Sequence, residues 1–77
     1  MRERPIIEYD VRTYDTFGEC QDVELFDSLH DATRFFNSIA IDNEVAGVEV
    51  EKHTTRYTPR ESIYKSLKIK GDIHQNN

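Results

Sequence analysis

Between Ile7 and Tyr14 the chain alternates. Ile7, Tyr9, Val11 and Thr13 fall on one side of an extended segment, and Glu8, Asp10, Arg12 and Tyr14 on the other. A period of two filled with β-branched and aromatic residues is the pattern of a half-buried strand. The next stretch, TFGECQ, holds Gly18 and reads as a hairpin loop. DVELF then resumes the alternation, with Val23 and Leu25 expected inward and Glu24 outward.

The period changes after Phe26. Leu29, Ala32, Phe35, Phe36 and Ile39 recur at offsets of three and four, the apolar stripe of a helix. Ser28 with Asp31 three residues on forms a start signal related to the capping box, and Asp31 suits the positive end of the helix dipole. A staple from Phe26 to the first helical turns fits this start. The helix is expected to stop around Ile39 to Ile41, before the polar DNE.

VAGVEVEKHTTRYT returns to period two, with Val48 and Val50 inward and Glu49 and Glu51 outward. At ~3.3 Å per residue a strand of ten residues spans ~33 Å, against ~18 Å for a twelve-residue helix. The far half of this strand must run past the helix-covered core.

YTPRESIYKSLKIKG admits two readings. Thr58, Pro59 and Glu61 resemble a helix start, with Ile63, Tyr64 and Leu67 as its stripe. As a returning strand closed by a four-residue TPRE loop, it sets Val50 opposite Ile69, Glu49 opposite Lys70 and Glu51 opposite Lys68. Two opposite-charge pairs and one apolar pair from one loop length favour the strand. The expected fold is a small α+β domain of order ββαββ. One helix covers one face of an antiparallel sheet, a long C-terminal hairpin projects, and the other face is wet and charged. Residues 6–71 form the single domain, between a flexible N-terminus, 1–5, and a flexible tail, 72–77.

Charge divides the chain. Residues 1–51 carry 13 acids against four arginines, a balance of −9; residues 52–77 carry six bases against two acids, a balance of +4. At 77 residues the core is small, and a partner or self-association would add to it. The single cysteine, Cys20, permits no internal disulfide and suits a reducing compartment. The first residues hold no apolar run of signal-peptide or anchor length, so a cytoplasmic protein is expected.

Candidate chemistry is sparse. His30, His53 and His74 are scattered without metal-ligand spacing, and Cys20 sits among Glu19 and Asp22, which disfavour a thiolate. The glycines are isolated, so no phosphate loop is formed, and the acids of the sheet face read as solvated. Neither enzymatic activity nor a metal or cofactor is expected. The residues singled out for a partner are Lys52, Arg56, Tyr57, Arg60, Tyr64 and Lys65, basic and aromatic side chains clustered toward the hairpin tip. The expected role is a non-enzymatic protein-interaction domain, self-associating, as a dimer, through its C-terminal hairpin. Nucleic-acid binding through the same basic hairpin is the alternative. A further one is an acidic face, spread over Glu8, Asp10, Asp15, Asp22, Glu24 and Asp27, that binds a basic protein surface or mimics nucleic acid.

Overall fold

The computed structural model describes residues 4–73. Five elements follow one another: β1 (Ile6–Tyr14), β2 (Cys20–Phe26), α1 (Leu29–Ser38), β3 (Gly47–Tyr57) and β4 (Arg60–Gly71). The strands form one antiparallel sheet in the order β2-β1-β3-β4, with α1 packed on one face. The ββαββ arrangement and its long C-terminal hairpin are therefore as the residue pattern implies. Of the ends expected to be flexible, 1–3 and 74–77 lie outside the described residues. Asp72, by contrast, is tied back, its N–H donating to the Ala46 carbonyl at 2.8 Å.

The helix begins as its capping residues dictate: Ser28 Oγ accepts from the Asp31 N–H at 3.1 Å. Of the apolar stripe, Ala32 and Phe36 are buried, Phe35 and Ile39 pack at the margin, and Leu29 is exposed. Phe26 stacks at a tilt on Phe35, ring centroids 5.4 Å apart, one turn further along than a staple to the first turn. With Val11, Val48 and Val50, Ala32 and Phe36 form a core of five buried apolar residues. No described helix is long and apolar enough to cross a membrane.

The two central strands pair without interruption, from Ile6 opposite Thr55 to Tyr14 opposite Gly47. Each outer strand departs from its neighbour by one extra residue. In β2, Tyr14 faces Cys20 but Thr13 faces Asp22, which leaves Gln21 bulged. A one-residue slip turns every later side chain over. Val23 and Leu25, expected inward, therefore stand on the open face, 43 % and 59 % exposed. In exchange Phe26 reaches the helix, and the Gln21 amide donates to the Glu44 carbonyl at 3.1 Å.

The second slip lies in β4. Thr58 and Pro59 alone make the turn, so Tyr57 faces Arg60 and Arg56 faces Glu61, and the expected four-residue loop is not formed. Leu67 is the extra residue, since Glu51 faces Ser66 and Val50 faces Lys68. The Glu49–Lys70 and Glu51–Lys68 pairs are not cross-strand partners; Lys70 faces Val48 and lies on the helix side. Each such charge pair is worth only ~0.2–1 kcal/mol, less than the burial gained by bringing Leu67 against the core. Lys70 gains more there as well. Its Nζ donates to the Phe36 carbonyl at 2.6 Å and lies 4.8 Å from the centroid of the Phe36 ring. The last turn of α1 has no basic residue of its own, so β4 supplies the cation that its negative end favours.

The two lysines should accordingly differ. Lys70→Ala is expected to lower unfolding free energy by about 1 kcal/mol, and exposed Lys68→Ala by less than about 0.5 kcal/mol. Urea unfolding of both variants measures the difference, and equal losses would contradict the capping role.

Candidate functional site

On the open face, β1 and β3 bring their charged positions side by side: Asp10 is opposite Glu51, and Arg12 opposite Glu49. The face is far from fully wet. Asp10 is 4 % exposed and Glu49 6 %, enclosed by the flanking strands whose Leu25, Val23 and Ile69 stand opposite Asp10, Arg12 and Glu49. Arg12 lies among the acids, its Nη2 3.6 Å from Asp10 Oδ2 and its Nε 3.4 Å from Glu51 Oε1. Tyr14 donates its hydroxyl to Glu49 Oε1 at 3.0 Å.

Two carboxylates, Asp10 and Glu51, thus share one guanidinium while Glu49 takes the Tyr14 hydroxyl, and not every buried polar atom is satisfied. Asp10 Oδ1 is buried without a hydrogen-bond partner among the described residues, and Arg12 Nε, though near Glu51, is not aimed to donate. The charges respond unequally. Arg12 is held above its ordinary pKa, because attraction from Glu51, Tyr14, Cys20 and Asp10 together outweighs its desolvation, the largest single influence. Glu51 is pushed above its ordinary value by desolvation, with Arg12 opposing and Glu49 and Asp10 adding repulsion. Tyr14 is pushed up to about 12 by desolvation and by its bond to Glu49.

The six residues singled out for a partner are split between faces. By register, Lys52 and Lys65 stand directly opposite each other on the helix side, beyond α1, where Arg56 is set against Glu61. Tyr57 and Arg60 face each other on the open side, and Tyr64 stacks on His53 there, centroids 4.2 Å apart and planes within 8°. The acids spread over the first hairpin divide too. Glu8 and Asp10 take the open face, Asp22 and Glu24 the helix side, and Asp15 Oδ1 holds the turn by accepting from the Phe17 and Glu19 N–H groups at 2.9 Å each.

Because Asp22 and Glu24 take the helix side of β2, they rim a groove of about 390 Å³ floored by Val11, Phe35, Ile39 and Val45. Cys20 is an exposed thiol at the start of β2. Among the described residues no three of His, Cys, Asp or Glu are arranged to hold a metal ion; His74 lies outside them. From sequence, Asp10 and Glu49 read as solvated acids of one sheet face and Arg12 is not singled out; the structure buries both acids. Their signal was present: charged residues at alternate positions of two strands that become neighbours at the centre of the sheet.

These features define a small α+β domain, one helix on a four-stranded antiparallel sheet, with a buried acidic cluster on its open face. The chain matches no protein-family model, no curated protein and no solved structure.

A group whose folded pKa is raised favours the fold in its protonated form, and that contribution is lost as pH rises through the folded value. For Glu51 the ionised form therefore opposes folding at neutral pH. Glu51→Gln is expected to raise thermal stability at pH 7, the gain vanishing as pH falls below the ordinary carboxyl range. Arg12→Leu is expected to cost about 3 kcal/mol at pH 7, because it leaves buried acids uncompensated, and less at acid pH. Melting curves between pH 3 and 8 follow both; a Glu51→Gln gain that persists at low pH would contradict the shared cluster.

Proposed function

We propose that this is a non-enzymatic protein-interaction domain that self-associates, as a dimer, through its C-terminal hairpin. One observation carries the reading. β3 and β4, with the first residues of β1, run on past both α1 and β2, whose last paired residue, Phe26, is opposite Tyr9. In this projecting part Ile6, Ile7, Tyr57, Ile63 and Tyr64 are 39–54 % exposed on a three-stranded ribbon with neither face covered by the described residues. A core of five buried apolar residues among those described, 4–73, is small, and a second copy is the most direct way to enlarge it. The composition also suits a cytoplasmic setting, where the exposed Cys20 stays reduced.

A second reading has its own observation. Lys52, Lys65 and Lys68 lie on the helix side of the hairpin with Tyr9 and Ile63 near them, a short basic strip beside an aromatic ring. Such a strip suits a phosphate backbone. The acidic balance of the whole chain weighs against it.

Sedimentation from micromolar to millimolar protein tests the first reading. A concentration-dependent rise from monomer to dimer mass is expected, and a strict monomer throughout would remove it. Binding to single-stranded and duplex nucleic acid across salt tests the second. It would require affinity that falls steeply with salt and falls again when Lys52 and Lys65 become Ala.

A further inference from the structure

We infer that the two copies pack open face to open face with an offset, the hairpin tip of each seated through Tyr57 and Arg60 on the acids of the other, buried Asp10 and Glu49 and half-buried Glu51. This rests on the self-association proposed above and names its surface.

Three ways of joining two hairpins can be compared by their charges. The first is edge pairing through β4, the outer strand of the sheet for all its twelve residues. That edge carries Lys65, Lys68 and Lys70 and is broken by the Leu67 bulge, features that discourage strand addition. The second is contact between the helix-side surfaces of the projecting ribbons. There Ile7, Thr54 and Ile63 form a cross-strand row, but Lys52 and Lys65 beside it would meet their own copies. The third is contact between open faces. Stacked in register it sets Glu8, Asp10, Glu49 and Glu51 over the same acids, with Arg12 as the one cation among the described residues of the central face. Like charges brought together in a dry interface are strongly unfavourable.

An offset removes that conflict. By strand parity the open face carries a second cation, Arg60, at the distal end, paired with Tyr57. Arg4, two residues ahead of β1, enters at that same end. From Glu51 to Tyr57 the strand advances six residues, ~20 Å at the usual rise per residue. In a molecule 50 Å long, a shift of that size leaves more than half of the length overlapping. A two-fold axis across the strands then passes near Thr54, and sets each Tyr57 over the partner's Glu51 with Arg60, one strand to the side, within a side chain's reach of the same acids. The overlap also covers the exposed Ile6 and Tyr64.

The receiving side carries an independent mark. Asp10 is 4 % exposed, and its Oδ1 has no hydrogen-bond partner among the described residues. A buried carboxylate oxygen left unpaired is costly, and a second guanidinium arriving from above is the group that would relieve it. Tyr57 adds a hydroxyl donor beside that cation. One face therefore contains both the lock, at its centre, and the key, at its tip.

Sedimentation of three variants decides the matter. Arg60→Glu changes an exposed residue at the start of β4; it should weaken the dimer at least tenfold with the monomer's circular dichroism unchanged, and 0.5 M salt should weaken the unmodified dimer in the same direction. Lys65→Glu makes the same charge change on the opposite face and should alter the dimer less than twofold. Glu51→Gln, which keeps the monomer folded, should also weaken it. Dilution of isotopically labelled protein should shift the amide resonances of Asp10 and Glu49 along with that of Arg60. A dimer untouched by Arg60→Glu, or weakened equally by Lys65→Glu, overturns this docking while self-association stands. A monomer at every concentration overturns both.

Discussion

A ten-residue helix is ~15 Å long, and the twelve-residue strand at the sheet edge reaches nearly ~40 Å. That mismatch governs the rest of the molecule. The helix covers the proximal part of the sheet, where Val11, Val48 and Val50 are sealed beneath Ala32 and Phe36, and nothing among the described residues covers the remainder. Hydrophobic burial is therefore concentrated at one end, and the other end is a thin ribbon of backbone pairing. The slab, 50 × 29 × 16 Å, has much surface for its mass. Such a shape is poorly stabilised by its own interior and well suited to lying against another surface.

The open face has a second shortage, of positive charge. Arg12 is the hub: the carboxylates of Asp10 and Glu51 lean on it, and its own charge is held firmly among them. An arrangement of this kind folds, but it carries an acid that is better off protonated and a buried oxygen without a donor. Buried ionic groups of this sort contribute little to stability and more to discrimination between partners. A neutral apolar face would accept any hydrophobic neighbour, whereas a face with an acidic floor between apolar margins accepts one that brings a cation to the middle.

Much of the fold could be read from the residues. Alternation in IIEYDVRTY and in the Val48–Val50 run marks the central strands, and Ser28 with the 29-32-35-36-39 stripe marks the helix. These elements were readable because a single local rule governs each. The two slips of register were not. Val23 and Leu25 look like inward residues on any even count, and only Phe26 meeting Phe35 and Gln21 meeting Glu44 explain why they face out. Likewise Lys68 and Lys70 suit Glu51 and Glu49 until Leu67 and the carbonyl of Phe36 are seen to compete for the same strand. Tertiary contacts decided there, and cross-strand charge pairs were too weak to oppose them. The acidic cluster was hidden for a related reason. Which acids become buried depends on β1 lying next to β3, a neighbour relation that no stretch of sequence records locally.

The two bulges have a consequence for how this chain tolerates change over time. Its outer strands each carry two phases of alternation joined at one residue, Gln21 in the first and Leu67 in the second. Substituting either residue leaves its neighbours facing where they do now. Deleting either would close the bulge into a regular ladder and leave every other side chain facing where it does now, because Cys20 and Asp22, like Ser66 and Lys68, already face opposite sides. What such a deletion removes is the extra residue's own contact, the Gln21 amide on the Glu44 carbonyl or Leu67 against the core. The central pair has no residue to spare: a deletion within β1 or β3 would turn over everything beyond it. Descendants of this chain could therefore differ by one residue in the length of an outer strand, while the middle of the sheet keeps its spacing.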